Sequence, residues 1–331
     1  MNYMRKISKI LTAVTYIIAC FLIGGCNYDE PTPGNDPNPD SDKTCALAWD
    51  TIVCNQLSVN ELFIGSKFLG VQNWNCNGNP PGIYPAAVFP EEAFATTFDQ
   101  EVSGKKNPIV VYTNFSDPFI STIENPSGVN YSRFMKSMLR SEEYKSNSEP
   151  QLNLYRCAKM NNLDSLIRIF PDNPSFAETF ESIVKQKMDI DKIKSWTIGE
   201  IIFKGFTVTM DVPEKGIFAN EMPSENGLVY VRSITYGSTA YFVIGSDLTY
   251  PEVRAIISKP SMIGTEKQNL KNTHVVLLTN SGIDQNAELH TESDALYDYF
   301  RHPYIEGNYG YPIYCTGCYL KDNSYIHISV K

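Results

Sequence analysis

The stretch that decides the fold is LVYVRSITYGSTAYFVIGSD, residues 228–247. It is long and rich in Val, Tyr, Ile and Thr, the residue types that fit a pleated, half-buried backbone. This composition predicts one long strand over Leu228–Ile244, beside which the neighbouring elements can be placed.

Outward from this strand, the chain reads as strands interrupted by helices. In Phe206–Val212 apolar residues alternate with polar ones, which is the period of a half-buried strand. Further strands are predicted at Ile109–Tyr112, at His274–Leu278 and in a hairpin of Tyr311–Leu320 with Ser324–Val330. Helices are predicted over Val129–Tyr144, from a capping box at Ser175–Glu178 to Met188, and over Ser293–His302. The pattern predicts an α+β protein built around a bent antiparallel β-sheet.

The N-terminal residues have the pattern of an export signal. A basic stretch at residues 5–9 precedes the apolar run Ile10–Ile23, which is shorter than the about 20 residues that a transmembrane helix needs. The run ends at Ile23-Gly24-Gly25-Cys26, which resembles the lipobox of bacterial lipoproteins. We therefore expect a signal peptide over residues 1–25 and a lipid on Cys26 that anchors the chain to a membrane.

Residues 26–43 are rich in proline, aspartate and asparagine, with Tyr28 as their single large apolar side chain. Such a composition cannot pack, so we expect a flexible acidic tether. Asp29 and Glu30 follow the cysteine closely, which resembles the surface-export signal of some Gram-negative lipoproteins. The expected location is therefore lipid-anchored in the cell envelope, on the outer membrane surface, with a core over residues 44–331.

The charge balance argues against nucleic acid as a partner. The chain has 37 Asp+Glu against 28 Lys+Arg, a net charge of −9 at pH 7. No stretch of it forms the basic stripe that a polyanion would need.

Motifs for catalysis and cofactor binding are absent from the sequence. The four histidines lack a metal-binding spacing such as HExxH, and there is no GxSxG, P-loop or GxGxxG. The sequence therefore predicts that the protein is not an enzyme and holds neither a metal nor a cofactor.

Of the eight cysteines, six lie beyond Cys20 and Cys26, and an oxidising envelope favours disulfides between them. The local pair that we favour is Cys45 with Cys54. Cys315-Thr-Gly-Cys318 has the spacing of a redox motif, but it lies in a predicted strand, away from the helix N-terminus that lowers a thiol pKa. A structural disulfide and two buried thiols both stay open for Cys315 and Cys318.

Three blocks of the sequence resemble the cholesterol-dependent (thiol-activated) cytolysins. The stretch Val229–Ser238, VYVRSITYGS, is similar to the family's strand Val-Tyr-Val-x-Ser-Val-x-Tyr-Gly-Arg. The stretch Gly310–Asn323 is similar to its hairpin Gly-Val-Pro-Ile-Ala-Tyr-x-x-x-Phe-Leu-Lys-Asp-Asn, and Tyr84-Pro85-Ala86-Ala87 matches its Tyr-Pro-Ala-Ala. The blocks occur in the family's order, and the resemblance covers about residues 55–331.

The resemblance implies a fold and a mechanism. Family members have a bent sheet flanked by helical clusters, the MACPF/cytolysin-like core, and they assemble into rings on membranes. Two helical clusters then convert into amphipathic β-hairpins that close a large barrel, in which every backbone polar group is paired. On this chain the convertible segments would lie between Leu163 and Gly199 and between Leu248 and Thr273.

The resemblance also implies roles for single positions. Tyr236 and Gly237 fall on the sheet strand that the family uses for contacts between subunits, although a packed core aromatic is the alternative for Tyr236. The family's Gly-Gly hinge after the fourth sheet strand corresponds to Ser281 and Gly282. One glycine is therefore replaced by Ser281, and half of the hinge's freedom at positive φ is lost.

Two departures from the family carry weight. The second segment is short and contains Pro251 and Pro260, which a β-ladder tolerates poorly. We also expect no counterpart of the family's C-terminal β-sandwich. The stretch Cys45-Ala-Leu-Ala-Trp49 echoes the start of the cholesterol-reading loop, but it lies at the other end of the chain and lacks the rest of the motif. Cholesterol binding is therefore not expected.

The leading hypothesis from the sequence is a surface lipoprotein that forms, or helps to form, an oligomeric β-barrel membrane pore. It would act as a homo-oligomer or together with a longer cytolysin-like partner, attached to the membrane through Cys26. The alternative is a non-lytic binding, adhesion or regulatory lipoprotein that retains the cytolysin scaffold.

Overall fold

The computed structural model describes residues 47–55, 66–68, 83–95, 98–147, 149–170, 174–220, 226–259, 273–280, 288–291, 294–304 and 310–326. The expected signal peptide, the lipidation site Cys26 and the tether fall outside these residues.

The strands are β1 (Asp50–Cys54), β2 (Ser66–Phe68), β3 (Val88–Pro90), β4 (Ile109–Thr113), β5 (Ile120–Ile123), β6 (Gln151–Met160), β7 (Ser195–Met210), β8 (Leu228–Ser246), β9 (Thr273–Asn280), β10 (Glu288–His290) and β11 (Tyr311–Tyr319). The helices are α1 (Glu91–Ala95), α2 (Gly128–Met138), α3 (Glu142–Asn147), α4 (Leu166–Ile169), α5 (Pro174–Lys187), α6 (Tyr250–Ile257) and α7 (Ala295–Arg301). Short 3₁₀ turns lie at Leu163–Ser165 and Ile190–Lys192.

Eleven strands in the described residues form one sheet, and their pairings are antiparallel. The half of the sheet that is built on the C-terminal part of β8 is named here the lower half. Its strand order is β1-β6-β7-β8-β9-β10. The half that is built on the N-terminal part of β8 is named here the upper half. On one side of it β4 pairs with β7 and β3 pairs with β8, and on the other side β11 pairs with β8. The predicted α+β class with a large antiparallel sheet is confirmed.

The halves meet at irregularities in the strands beside β8. The β7–β8 register shifts between Lys204 and Phe206, and the β8–β11 register shifts between Pro312 and Tyr314. Both shifts lie next to Gly237 of β8. Because β-bulges bend and twist a strand, we expect the sheet to bend near Gly237.

The strand predicted at Phe206–Val212 is only the end of β7, which begins at Ser195. Alternation failed to reveal the first part because Ser195–Phe203 is buried without a break. A strand that is covered on both faces has no polar face to show.

The helix predicted over Val129–Tyr144 is two helices in the structure, α2 and α3. Ser127 caps α2 by accepting a hydrogen bond from the Asn130 N–H. Ser141 then accepts a hydrogen bond from the Tyr144 N–H at 3.2 Å, which caps the first turn of α3. A second capping residue inside one apolar pattern therefore ends the first helix early.

The capping box predicted at Ser175–Glu178 is wrong, because α5 already begins at Pro174 and Ser175 lies inside its first turn. Proline is tolerated there, since the first helical N–H groups have no partner within the helix. The predicted helix over Ser293–His302 is α7 at Ala295–Arg301. Of the predicted hairpin strand Ser324–Val330, the described part pairs Tyr325 with Cys318.

The lower half of the sheet is covered on both faces by apolar side chains. On its first face, strand residues such as Ile198, Val243 and Val276 pack with α4 and α5. On its second face, the alternating residues Phe242 and Leu277 pack with α6 and α7. The period of two in a strand thus divides the core between the faces.

Candidate functional site

The first candidate feature is the segment between β6 and β7, residues 161–194, named here the first segment. Phe176, Phe180 and Val184 of its helix α5, and Met188 just after the helix, are buried against the first face of the sheet, and each is at most 6% exposed. These four residues repeat every four positions, which keeps them on one face of a helix. In its described part, the segment predicted between Leu163 and Gly199 contains α4, α5 and two 3₁₀ turns, and from Ser195 it belongs to β7.

The first segment is held to the sheet mainly by apolar contacts. Phe170 meets Tyr241 of β8 edge to face, with ring centroids 4.9 Å apart. Its ion pairs, Lys185 with Glu181 and Lys192 with Asp189, involve lysines that are about half exposed or more. Both pairs lie within the segment, and exposed ion pairs contribute little, typically about 0–1 kcal/mol, so neither pair holds the segment to the sheet.

The second feature is the segment between β8 and β9, residues 247–272, named here the second segment. Its described part forms α6, which starts with a capping box in which the Thr249 N–H donates to Glu252 at 2.8 Å. Val253 and Ile257 are fully buried on the second face of the sheet. The two segments therefore lie on opposite faces of the same strands, and residues 260–272 fall outside the described residues.

The third feature is the edge of the sheet at β9. Its outer side pairs with the three-residue strand β10, from Glu288↔Thr279 to His290↔Leu277. Leu289 of β10 is 41% exposed, and the Thr279 hydroxyl lies 3.4 Å from His290 Nε2. So short a strand adds few hydrogen bonds to the edge that it covers. The hinge predicted at Ser281 and Gly282 lies outside the described residues and stays a prediction.

Tyr236 lies in the interior of the upper half of the sheet. It is 2% exposed, stacks on Phe206 at 5.2 Å, and its hydroxyl lies 3.0 Å from that of Tyr131. Both sides of β8 are paired here, with Phe206 of β7 and with Pro312 of β11. In this arrangement Tyr236 is a packed core aromatic, and a contact between subunits through Tyr236 and Gly237 requires one of these neighbours to leave.

Gly237 allows the close approach of strands at the bend. A Cβ added to it would lie 2.1 Å from the Phe203 carbonyl oxygen and 2.6 Å from Ile313 Cδ1. No side chain fits between β7 and β11 at this point. The structure therefore explains this glycine by packing alone.

We expect the substitution Gly237→Ala to lower the free energy of unfolding by about 2–3 kcal/mol, because it forces backbone apart at a packed position. Urea unfolding followed by tryptophan fluorescence measures it. Gly128→Ala at the start of α2 is the matched control, since its Cβ would have only Tyr84 Cδ1 within reach, at 3.9 Å. Equal stability of both variants would contradict the close approach.

A buried charge lies in the lower half of the sheet, on the face that the first segment covers. Glu200 of β7 is 3% exposed, and its carboxylate accepts hydrogen bonds from Arg156 at 2.6 Å and from the Tyr241 hydroxyl at 2.7 Å. The guanidinium of Arg156 also stacks over Trp49, 4.3 Å from the ring centroid. Burial and the neighbouring carboxylate hold the pKa of Tyr241 far above its ordinary value, so this phenol stays a donor. The sequence reading missed this cluster, because its members come from three separate strands.

Of the cysteines that the structure describes, Cys157, Cys315 and Cys318 are buried, whereas Cys54 is exposed. Cys318 is a free thiol on β11, so the disulfide with Cys315 is absent and the alternative of two buried side chains holds. Residues three apart on a strand are about 10 Å apart, too far for an S–S bond. Burial raises the pKa of the Cys318 thiol, which opposes redox chemistry. The pairing of Cys45 with Cys54 is not tested, because Cys45 falls outside the described residues.

Two kinds of feature are absent from the part of the chain that the structure describes. None of the helices in this part combines the length and the apolarity that crossing a membrane would take. Among the same residues, no group of three or more His, Cys, Asp or Glu side chains is placed to hold a metal ion.

A bent antiparallel sheet with one helical segment on each face and a short strand over its edge defines a cytolysin-like core. Solved structures share it. Pneumolysin is 18% identical with a TM-score of 0.57, over 80% of this chain and 61% of that one. The human-specific toxin intermedilysin is 17% identical with a TM-score of 0.56, over 77% and 60%. The cytotoxin suilysin from Streptococcus suis is 16% identical with a TM-score of 0.56, over 78% and 60%.

This likeness shows the fold, which is the fold that the three sequence blocks implied. The chain spans about three fifths of the length of these structures. No protein-family model matches the chain, and no curated protein matches it.

Proposed function

We propose that this chain is a lipid-anchored surface protein that assembles into rings and forms a toxin-like β-barrel pore in a target membrane. Cys26 would supply the anchor, and residues 26–43 would act as the tether. In the assembled state, the first and second segments would leave the faces of the sheet and extend β6, β7, β8 and β9 into the membrane.

One observation carries this proposal: the large side chains that are buried along α5 and just after it also fall on one face of a strand, and the buried residue of opposite parity is the small Ala177. Phe176, Phe180, Val184 and Met188 are spaced by four, which is close to one helical turn and also an even number. Residues at even spacing point to the same side of a strand. Residues of opposite parity, such as Lys185 and Lys187, are exposed in the helix and would face away from the lipid. One pattern therefore serves a helix on a sheet and an amphipathic hairpin in a membrane.

The strand register supports hairpins of sufficient length. β6 and β7 pair as far as Met160↔Trp196, so a hairpin continuing this register would turn at residue 178. β8 and β9 pair as far as Ser246↔Thr273, so a hairpin continuing this register would turn between Lys259 and Pro260. The second hairpin would then have arms of residues 247–258 and 261–272, enough for the about 9–11 residues that a membrane strand needs. Pro260 would fall in the turn, outside the paired arms, so it would remove no hydrogen bond from the ladder.

The proposal is tested on liposomes with the purified chain. Ring-shaped oligomers in electron micrographs and release of an enclosed dye are the expected results. A chain that stays monomeric and leaves the dye enclosed, with and without proteolytic nicking, would rule out pore formation by this chain alone.

A pair of exposed residues on α5 tests the lipid-facing side of the hairpin. Gln186 shares the parity of Val184, so Gln186→Arg would place a charge in hydrocarbon, at a cost of about 2–4 kcal/mol per subunit near the midplane. We expect at least a tenfold loss of dye release. Lys187→Glu lies on the opposite face, and we expect at most a twofold change. Both side chains are exposed in the monomer, so the free energy of unfolding, followed by thermal unfolding, should change by less than about 0.5 kcal/mol. Equal loss in both variants would contradict the assigned face.

The second candidate function is a non-lytic binding or regulatory role. Pro251 favours it, because the continued register leaves this residue inside the ladder, where it cannot donate a hydrogen bond. A pneumolysin described as non-hemolytic, from Streptococcus pneumoniae, also has this fold, with 17% identity and a TM-score of 0.55. A longer cytolysin-like partner that forms pores only in the presence of this chain would support this role.

A further inference from the structure

The sheet edge opposite β10 is covered as well, by the strand β1. β1 pairs with β6 from Asp50↔Cys157 to Cys54↔Leu154, and the Asn55 N–H donates to the Asn153 carbonyl at 3.0 Å. We propose that residues 47–55, named here the strap, form an autoinhibitory element that closes the β6 edge and clasps the second segment in the monomer. This inference rests on the proposed function, because it concerns how that assembly is restrained.

The edge argument follows from the topology. In the lower half of the sheet, β1 and β10 are the two outermost strands. An uncovered edge strand presents unpaired N–H and C=O groups, to which another chain can add a strand. Side-by-side assembly of copies through this sheet therefore needs both edges, and β1 blocks one of them.

The strap also clasps the second segment through Asp50. The Tyr250 hydroxyl donates to Asp50 Oδ2 at 2.7 Å, and Arg254 Nε lies 3.0 Å from the same oxygen. Tyr250 and Arg254 are one turn apart on α6, so a single carboxylate on the strap holds the helix at two points. This oxygen connects the sheet edge to the segment that the pore must release.

The strap contacts the other face of the sheet too. Leu47 and Trp49 pack against the apolar cluster beneath α5, and Trp49 also covers the guanidinium of Arg156. Ile52 and Val53 pack against the cluster beneath α6. Removal of the strap would therefore loosen the packing on both faces as well as open the β6 edge.

The strap has features of a part that can leave. β1 has five residues, none of them fully buried, and its register with β6 shifts between Thr51 and Val53. Elements with little buried surface and interrupted pairing open at a lower free energy than the core. We infer that displacement of the strap precedes the release of the second segment.

Amide hydrogen exchange of the monomer tests the clasp without any pore. Asp50→Asn removes the charge that holds Arg254 and weakens the bond to Tyr250, so the amides of residues 250–257 should exchange about tenfold faster. Thr51→Ala is the matched control, because Thr51 is an exposed neighbour on the same strand. Unchanged exchange in Asp50→Asn would overturn the clasp.

A disulfide between the strap and β6 tests the strap both when it is fixed to the sheet and when its contact through Asp50 is lost. Asp50 of β1 is paired with Cys157 of β6. The Tyr250 hydroxyl contacts both side chains and lies 3.7 Å from Cys157 Sγ, so the two side chains are on the same face of the sheet. The cysteine of Asp50→Cys can therefore form a disulfide with the native thiol. Paired residues of antiparallel strands lie about 4.5–5.5 Å apart, within the range of a disulfide. Burial raises the pKa of the Cys157 thiol, so oxidation is done above neutral pH.

We expect the oxidised Asp50→Cys variant to lose at least tenfold in ring formation and dye release, and the reduced variant to exceed the wild type. Mass spectrometry checks the bond, and wild type under the same oxidant is the control. Equal assembly of the oxidised and reduced variant would overturn the strap. If wild type and the reduced variant both fail to assemble, the proposed function fails, whereas the exchange experiment still decides whether Asp50 holds α6.

Discussion

The double variant Met188→Cys/Gly245→Cys is expected to lose dye release almost completely when oxidised and to regain it on reduction. Met188 follows the end of α5, and a Cβ on Gly245 of β8 would stand 3.0 Å from its sulfur and 2.5 Å from Ile193 Cδ1, the end of a flexible side chain that must shift to make room. A disulfide at this point ties the first segment to the sheet. Because a membrane hairpin needs the whole of its two arms, a segment fixed at one end cannot form it.

The measurement is dye release from liposomes before and after a reducing agent, with electron micrographs of the same samples. Each single variant and the wild type receive the same oxidant, since native thiols such as Cys157 are present in all of them. Rings without dye release would show that assembly precedes insertion. Full dye release by the oxidised double variant would show that the first segment stays on the sheet in the active state.

The second large effect is expected from Arg156→Met. This change leaves the Glu200 carboxylate, whose side chain is 4% exposed, without the guanidinium that pairs with it at 2.6 Å. Breaking a buried ion pair from one side costs about 3–5 kcal/mol, because the remaining charge stays desolvated. The side chain of Arg156 is 26% exposed, so we expect the lower end of this range. Urea unfolding gives the change in the free energy of unfolding.

The control for this variant removes all three polar groups of the cluster. In Arg156→Met/Glu200→Met/Tyr241→Phe no buried charge or hydroxyl is left without a partner, and most of the stability should return. Tyr241→Phe alone should cost about 1–2 kcal/mol, since it deletes one hydrogen bond to a charged group. A single variant Arg156→Met that is as stable as the wild type would show that water reaches Glu200.

The cluster and the first segment are physically linked. Tyr241, which donates to Glu200, also meets Phe170 of the first segment edge to face. When the first segment leaves, the same carboxylate loses part of its apolar cover. The free energy needed to expose this face to water is therefore lower than for an all-apolar face, because a charged pair regains hydration.

Much of the fold could be predicted from the sequence. The long strand predicted at Leu228–Ile244 is β8. The strand predicted at His274–Leu278 is β9, which begins one residue earlier and ends two residues later. The helix read up to Met188 is α5, which ends at Lys187. The resemblance of three blocks to cytolysins also implied the fold that the solved structures share.

Other parts of the fold could not be predicted. The first part of β7 shows no alternation, because neighbours bury both of its faces. β1 has only five residues, and its pairing with β6 involves partners about a hundred positions away in the chain, as Asp50 with Cys157. Tyr236 gave an ambiguous reading because a sheet strand and a subunit interface favour the same residue types.

What the sequence by itself determined are the elements whose side chains repeat with a local period, namely β8, β9 and the apolar face of α5. These periods depend on residues that are close in the chain, so they can be read without coordinates. Only the tertiary structure decided which elements cover which face and edge. The strap shows this, because Asp50 and Tyr250 are 200 positions apart and meet through strand register, which no local pattern encodes.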